Sequence, residues 1–256
     1  MIEKNDFIVF EGMTSISSLI KACTDNPNNS RKIVKILFDK KNIKSEYRRV
    51  NFLKAKEKEI GFDLEAVERE MIDKLVSGNT HGGFVALCED KPLQKLSTSV
   101  IPDKGMFFLL DGIEDPYNFG YTLRALYAAG VDGVVLGERN WMTAAGTVAR
   151  ASAGCSELIP LYTDSLESAV ATFKDLGYRI VCANIRDSVS LYESSLNAPV
   201  LVVIGGEKRG VSRAILELSD QNIRISYGRD FSGSLPTSEA AAIIAFEVSK
   251  TNGRIK

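Results

Sequence analysis

In the second half of the chain, short apolar runs alternate with segments of helical periodicity. Residues 107–110, 134–136 and 200–204 have the length and composition of buried strands. Helical patterns such as 142–153, 166–176 and 238–249 lie between and after such runs. Apolar strands separated by helices are typical of a largely parallel sheet covered on both faces. The sequence therefore predicts an α/β domain in this half.

A change of composition at residues 92–105 divides the chain. The stretch Ser97-Thr-Ser-Val-Ile-Pro-Asp-Lys-Gly105 is rich in turn formers and separates a charged first part from a more apolar second part. The chain has 256 residues, enough for two cores. We therefore predict an α/β domain over 1–97, a linker over 98–105 and a larger domain over 106–256. In the first domain we expect helices at 15–22, 48–60 and 65–75 and strands at 33–38 and 83–88.

The charge of the first part is concentrated in one stretch. The whole chain carries a net charge of −1, but residues 31–58 contain eleven Lys or Arg and three Asp or Glu, which gives 11 − 3 = +8. A local basic surface of this kind is suited to phosphate. It is also what an ordinary solvated face looks like. As candidate RNA contacts we single out Lys40, Lys41, Arg48 and Arg49.

Some classes of protein and site are disfavoured by the sequence. No segment approaches the roughly 18 apolar residues of a membrane span, and no secretory leader is recognisable, so we expect a cytoplasmic protein without membrane association. The four cysteines are far apart and His81 is the only histidine, so we predict no metal site and reduced, buried thiols. A lone histidine is more often structural or RNA-contacting than catalytic.

Three segments of the second half each follow a predicted strand. They are motif 1, Asn118-Phe-Gly-Tyr-Thr-Leu-Arg124; motif 2, Gly205-Gly-Glu-Lys-Arg-Gly210; and motif 3, Ile225-Ser-Tyr with Ser234-Leu-Pro-Thr-Ser238. Open α/β folds bind ligands at the carboxyl ends of their strands, where these segments should lie.

Each motif alone also has an ordinary interpretation. Motif 1 reads as a helix start with Asn118 as N-cap and a stop at Gly130. Motif 2 has the glycine spacing of a P-loop but lacks its Lys-Ser/Thr, and no Gly-x-Gly-x-x-Gly indicates a dinucleotide fold.

The order, spacing and residue types of the three motifs resemble the SpoU (TrmH-like) family of RNA ribose 2′-O-methyltransferases, over residues 107–247. The segments Gly12-Met-Thr-Ser and His81-Gly-Gly-Phe are similar to the small substrate-binding domain at the N-terminus of many such enzymes. The resemblance implies a trefoil-knotted methyltransferase domain, S-adenosyl-L-methionine as cofactor and a homodimer whose site borrows from both subunits. It also implies an RNA substrate, with rRNA favoured over tRNA.

The resemblance implies a set of cofactor-binding residues. Backbone groups at positions matching Gly205, Ile225 and Leu235 bind the cofactor in the family. Gly206 joins them because a glycine has no Cβ to keep an adenine or ribose away from the backbone.

The resemblance likewise implies catalytic roles for Asn118, Arg124, Glu207 and Ser234. The matching arginine of the family is proposed to accept the 2′-hydroxyl proton. A guanidinium is a poor base, so we favour Arg124 as the group that binds the target phosphate and stabilises alkoxide charge. Glu207 could pair with Asn118 or Arg124, or could simply favour the start of the next helix as a carboxylate.

Motif 3 departs from the family pattern at one position. The family has Ser-Leu-Asn-x-Ser, whereas this chain has Pro236 in place of the asparagine. Proline removes an amide side chain and a backbone N–H, so any contact of that asparagine is absent or replaced by Thr237. A tRNA methyltransferase and a non-catalytic RNA-binding homologue therefore remain alternatives.

Overall fold

The computed structural model describes residues 7–76, 78, 80–91, 93–137 and 144–255. The chain divides into two compact units: Met1–Pro92 with Asn140–Leu158, and Leu93–Arg139 with Ile159–Lys256. The predicted domain over 106–256 contained residues 140–158, which instead group with the first unit. This segment packs closely against the first strand of that unit. At Gly146 the two backbones are so near that a Cβ would lie 2.3 Å from the Val9 carbonyl oxygen.

The first unit contains a four-stranded sheet in the order β1-β4-β2-β3. Strand β4 is antiparallel to both of its neighbours, and β3 is parallel to β2. The strands are β1 (Ile8–Glu11), β2 (Ile33–Asp39), β3 (Asp63–Val67) and β4 (Phe84–Cys88). The helices are α1 (Gly12–Asp25), α2 (Asn42–Ser45), α3 (Tyr47–Ile60), α4 (Arg69–Leu75) and α6 (Ala145–Ala151).

The predicted helix over 65–75 is wrong in its first part. Residues 63–67 form β3, in register with β2 from the pair Lys35 and Asp63 onward. Along β3, exposed Asp63 and Glu65 alternate with half-buried Leu64 and Ala66. That period of two is the signature of a strand with one solvated face. The predicted helix over 142–153 begins outside the described residues, and α6 is its described part.

The second unit contains an eight-stranded sheet in the order β10-β12-β9-β11-β6-β7-β8-β5 among the described residues. Every pairing in it is parallel, which confirms the predicted α/β class. The strands are β5 (Gln94–Lys95), β6 (Met106–Asp111), β7 (Gly133–Leu136), β8 (Leu161–Thr163), β9 (Arg179–Ala183), β10 (Val189–Ser190), β11 (Val200–Gly205) and β12 (Gln221–Arg224). The helices are α5 (Pro116–Ala128), α7 (Leu166–Asp175), α8 (Arg213–Glu217) and α9 (Thr237–Thr251).

An aromatic cluster packs one face of this sheet. Phe107 of β6 lies 5.0 Å from Phe173 of α7, centroid to centroid, and Phe173 lies 4.9 Å from Tyr178 edge to face. Burial raises the pKa of Tyr178 to about 12, and its hydroxyl donates to the Pro102 carbonyl at 2.6 Å. The cluster fixes the central strands whose carboxyl ends carry the motifs.

The trefoil knot stays a prediction. In its support, α9 packs against α5, and just beyond α9 the Asn252 side chain accepts from Ala198 N at 2.8 Å and donates to the Leu196 carbonyl at 2.9 Å.

The four cysteines are free thiols. Burial raises the pKa of Cys182 to about 11. Cys88 is also buried, whereas Cys23 and Cys155 are only partly so, and the prediction of buried thiols therefore holds for two of the four. Within the described ranges, no helix combines the length and apolar character needed to cross a membrane.

Candidate active site

The three motifs lie at one edge of the eight-stranded sheet, as predicted. Strand β6 ends at Asp111 and β11 ends at Gly205, and these two residues are paired in register. Strand β12 ends at Arg224 and runs parallel to the others through β9. The carboxyl ends of parallel strands share an edge, so motif 1 follows β6, motif 2 follows β11 and motif 3 follows β12 there.

Motif 1 begins inside a capped helix. Asp115 is the N-cap of α5, and its Oδ1 accepts from Tyr117 N at 3.0 Å and Asn118 N at 2.8 Å. Pro116 occupies the first helical position, where its missing N–H costs nothing. The interpretation of Asn118 as N-cap is therefore wrong, and its side chain is left for another partner. The predicted stop at Gly130 is confirmed, with φ +77° and its N–H donating to the Tyr127 carbonyl.

That partner is Glu207 of motif 2. Asn118 Nδ2 donates to Glu207 Oε1 at 2.9 Å, which fulfils one of the two pairings predicted for Glu207. Beside it, Lys208 Nζ lies 2.7 Å from Glu114 Oε2 in an exposed ion pair. Because exposed pairs of this kind contribute about 1 kcal/mol or less, we regard them as fixing the relative position of the two loops more than the stability of the fold.

The motif 2 glycines are required by the chain's own backbone. A Cβ on Gly206 would lie 2.1 Å from the Gly112 carbonyl oxygen, and one on Gly205 would lie 2.0 Å from the Gly210 carbonyl carbon. Gly206 N also donates to the Asp111 carbonyl at 2.7 Å. The sequence-based reason was close approach of a ligand, but both glycines are required without any ligand. Gly206 packs against the loop after β6, and Gly205 packs against Gly210 of its own loop.

Motif 3 is attached to motif 2 by its second half. Thr237 Oγ1 donates to the Gly205 carbonyl at 3.3 Å. Pro236 is the N-cap residue of α9 and supplies no side-chain cap, so Thr237 makes the polar contact at this point. Leu235 N donates to the Tyr227 hydroxyl at 3.3 Å. Ser234 is exposed and Ile225 is half-buried just beyond β12.

Arg124 stands apart from the Asn118–Glu207 pair. It is exposed on α5, and no hydrogen bond or ion pair to it is found in the described part of the chain. Six residues separate it from Asn118, which places the two about 120° apart around the helix. Its own face carries Tyr117 and Tyr121, which are 42% and 48% exposed. The structure therefore joins Asn118, Glu207, Gly205 and Thr237, and leaves Arg124 on an adjoining surface.

The basic stretch of the first unit is largely paired. Arg31 is 5% exposed, its Nε lies 3.2 Å from Glu157 Oε2, and it cannot reach RNA. Lys40 is paired with Glu68 at 3.0 Å, and Arg49 with Glu46 at 3.1 Å. The count of +8 therefore overstates the free charge, because acids from outside the stretch neutralise part of it. Lys32 and Lys35 are likewise paired, with Glu89 and Glu65.

His81 has a structural position. Its side chain is buried, Nδ1 accepts from Gly83 N at 3.2 Å and Nε2 lies 3.1 Å from Asp73 Oδ1. These contacts fix the turn before β4, which agrees with the structural half of the expectation for His81. A half-open cavity of about 310 Å³ adjoins it, which the sequence gave no reason to expect. Arg49 and Arg150 line that cavity, and each is paired with a carboxylate.

No cluster of metal ligands occurs among the described residues. The edge offers backbone polar groups around Gly205, Ile225 and Leu235 and the Glu207 carboxylate bonded to the Asn118 amide, with the exposed Arg124 guanidinium on an adjoining surface. Such an arrangement suits the binding of a polar, planar ligand and the stabilisation of negative charge beside it.

Comparisons with known proteins identify the family. The profile of the SpoU rRNA methylase family matches residues 105–246. A Staphylococcus saprophyticus protein assigned to the TrmH family of tRNA/rRNA methyltransferases is 34% identical over 199 residues, covering 72% of this chain and 76% of the relative. The 23S rRNA (guanosine-2′-O-)-methyltransferase RlmB of Shewanella oneidensis is 28% identical over 198 residues, covering 74% and 79%.

The fold is shared with solved structures as well. The AdoMet-bound rRNA methyltransferase from Sinorhizobium meliloti superposes with a TM-score of 0.78 at 21% identity, covering 96% of this chain and 88% of that one. The chain belongs to the SpoU family, as the three motifs predicted, and it is an RNA methyltransferase of the SpoU/TrmH type.

Proposed function

We propose that the chain transfers a methyl group from S-adenosyl-L-methionine to the 2′-hydroxyl of one ribose in ribosomal RNA. The observation that carries this proposal is the joining of the three motifs at one sheet edge: Asn118 to Glu207, and Thr237 to Gly205. Transfer of this kind needs a rigid cofactor pocket, an in-line approach for the hydroxyl oxygen and a route for its proton.

The pocket would be formed by backbone groups at Gly205, Gly206, Ile225 and Leu235. They suit a nucleoside, because the Leu235 N–H is bonded only to the exposed Tyr227 hydroxyl among the described residues and can turn to a ligand. The cofactor supplies an electrophilic methyl group when bound. The chain's part is to hold it rigidly, through the loop contacts that link motif 2 to motifs 1 and 3.

Arg124 would bind the target phosphate and stabilise the charge that develops on the attacking oxygen. The only histidine, His81, is buried in the first unit, so no histidine is available to accept the proton of the 2′-hydroxyl. Glu207 already accepts from Asn118, which suits a positioning role. Ser234 is exposed at the start of the second half of motif 3 and would contact the ribose.

Ribosomal RNA is the preferred substrate because the curated relative RlmB acts on 23S rRNA by name. The basic residues of the first unit would bind the RNA. Residues 1–97 would act as the substrate-binding domain of the protein, and residues 106–256 would act as its methyltransferase domain. Such a reaction would take place in the cytoplasm.

We further propose a homodimer. The exposed α5 face with Tyr117, Tyr121 and Arg124 is an aromatic surface that a second copy would cover. Phe246 of the neighbouring helix α9 is 42% exposed as well. A dimer through this face would bring Arg124 of one copy toward the motifs of the other. Light scattering coupled to size exclusion tests the stoichiometry.

The test of the proposed function is transfer itself. Total RNA is incubated with the protein and methyl-labelled cofactor, and the labelled nucleotide is mapped by nuclease digestion and by alkaline cleavage, which a 2′-O-methyl group blocks. Label in rRNA that resists alkali is the expected result. Label in tRNA would overturn the choice of RNA, and alkali-labile label would overturn the ribose as target.

One observation favours a second candidate, a non-catalytic RNA-binding protein. Pro236 stands where the family has an asparagine, and no side chain caps α9 there. Calorimetry with cofactor and with RNA, together with the transfer assay, separates the candidates. Cofactor binding together with transfer supports the enzyme, whereas RNA binding without transfer supports the alternative.

A further inference from the structure

The first turn of α3 places positive charge where a helix does not favour it. Arg48 and Arg49 follow Tyr47 at the N-terminal end, and no acid lies in that turn. The partial positive charge of a helix N-terminus disfavours cations there. Glu46 compensates Arg49 at 3.1 Å. Arg48 has no such partner within the described residues.

Tyr47 is exposed beside this uncompensated charge. Its exposed fraction is 54%. Arg48 Nε donates to its hydroxyl at 3.1 Å, and Arg48 Cζ lies 5.8 Å from the ring centroid. The guanidinium thus approaches from the hydroxyl end and limits the rotation of the ring. The buried residues of α3 are Val50 and Leu53, whereas more than half of the Tyr47 side chain is open to solvent.

The neighbouring lysines are free of ion pairs too. No carboxylate of the described chain pairs with Lys41 or Lys44, although Lys40 is paired with Glu68 and Arg49 with Glu46. Lys41 precedes α2 and Lys44 lies within it. Lys41, Lys44 and Arg48 lie within eight residues of sequence that include Tyr47, with the non-helical Glu46 between α2 and α3. Three cations without an ion pair in the described chain therefore flank Tyr47 in sequence, and Arg48 contacts its ring directly.

We propose that Lys41, Lys44, Tyr47 and Arg48, here called the Tyr47 surface, bind single-stranded RNA with an unpaired base stacked on Tyr47. This deepens the proposed function and rests on it. Proteins that hold single strands combine cations along the backbone path with aromatic rings on which bases stack. Duplex RNA is a poorer fit, since its bases are already stacked and only unpaired loops offer a free face.

The experiment uses the full chain and single-stranded oligoadenylate of about 12 nucleotides, within the usual range for one binding module. Binding is measured by fluorescence anisotropy over a series of salt concentrations. Tyr47→Ala should weaken binding about thirtyfold, the middle of the range for one stacked base, and Tyr47→Phe should stay within about twofold of wild type because the ring is kept. Tyr192→Ala is the matched control, since Tyr192 is 58% exposed in the second unit, and it should leave binding unchanged.

Two charge-matched double variants test which cations take part. Lys41→Gln with Arg48→Gln should lower the log–log salt slope by about 1.4, or about 0.7 per lost single-strand phosphate contact. Lys40→Gln with Arg49→Gln removes the same charge from paired residues and should lower it by less than half of that. Equal slopes for the two variants would overturn the assignment of the cations.

The remaining outcomes separate this inference from the proposed function. If Tyr47→Ala binds like wild type while Lys41→Gln with Arg48→Gln still flattens the slope, the base-stacking role is wrong and only phosphate contact remains. If duplex RNA competes as well as the single strand, the choice of RNA form is wrong. If wild type methylates total RNA and Tyr47→Ala does so equally well at limiting RNA, the Tyr47 surface is overturned and the proposed function stands. Absence of transfer by wild type would instead contradict the proposed function. Circular dichroism checks that each variant is folded.

Discussion

The basic stretch of the first unit and the motif edge of the second unit were both predicted as functional, but their residues are fixed in different ways. In the basic stretch, position depends on long side chains that find carboxylates elsewhere in the chain, such as Lys40 with Glu68. At the motif edge, position depends on backbone contact, such as Gly206 against Gly112. A charge count is therefore a weaker guide to a site than a pair of glycines that admit no Cβ.

The largest expected effect is within the basic stretch, where two cations should differ in their contribution to stability. Arg31→Gln should lower the free energy of unfolding by about 3–5 kcal/mol, because it leaves Glu157 buried without a partner. Lys40→Gln removes an exposed pair and should cost less than about 1 kcal/mol. Urea unfolding of both variants measures this. Similar midpoints for the two variants would show that burial does not determine how much an ion pair of this stretch contributes to stability.

The next effect concerns Arg124. Arg124→Ala should lower the transfer rate by about 10²–10³, the usual cost of removing one group that stabilises developing charge. Cofactor affinity by calorimetry should change little, since no hydrogen bond or ion pair joins Arg124 to motif 2 or 3 in the described chain. Arg124→Lys should also be slow, because a point charge does not reproduce a planar fork. Retention of most activity by the lysine variant would contradict the bidentate role.

Gly206→Ala tests the backbone side of the comparison. The new Cβ must displace the Gly112 carbonyl, and we expect a cost of about 3 kcal/mol, the upper part of the range for overpacking. Thermal unfolding should show it as a lowered midpoint. Gly228→Ala is the control, because a Cβ there meets nothing within 4 Å. Equal midpoints for the two variants would mean that the loops separate without cost.

The smallest effect is that of the Asn118–Glu207 pair. A double-mutant cycle with Asn118→Ala and Glu207→Ala should give a coupling energy of about 1 kcal/mol in transition-state stabilisation, as expected for one exposed hydrogen bond. The measurement is kcat/KM of the single and double variants. Strict additivity would show that the two side chains act independently despite their 2.9 Å contact.

Most of the second unit was predictable because its signals are local. An apolar run and the helical pattern after it can be recognised from neighbouring residues alone, and together they indicate a parallel strand. Strands β6, β7 and β11 lie at the predicted places. Residues 65–67 of β3 were misassigned to a helix, because the alternation of Leu64 and Ala66 covers too short a segment to fix the period. The return of residues 140–158 to the first unit depends on contacts with Val9, far away in sequence, which no local pattern contains.

The site was predictable to a similar degree. The motifs indicated which loops meet, because their order and spacing resemble a known family. They did not indicate that Asp115 caps α5 and thereby leaves Asn118 for Glu207, since both residues are good caps. They did not reveal that Arg31 is buried either, because its partner Glu157 is 126 residues away.

The segment between β12 and α9 has a further consequence, for hydrogen exchange. Residues 227–234 are all exposed, and the Leu235 amide at their end is held by one bond, to the Tyr227 hydroxyl. Segments with so few buried contacts open at little free-energy cost, whereas central strands open only with the whole domain. The Leu235 amide should therefore exchange fast in the free protein and slowly once a ligand orders the segment. Its protection factor would report occupancy of the site without any measurement of catalysis.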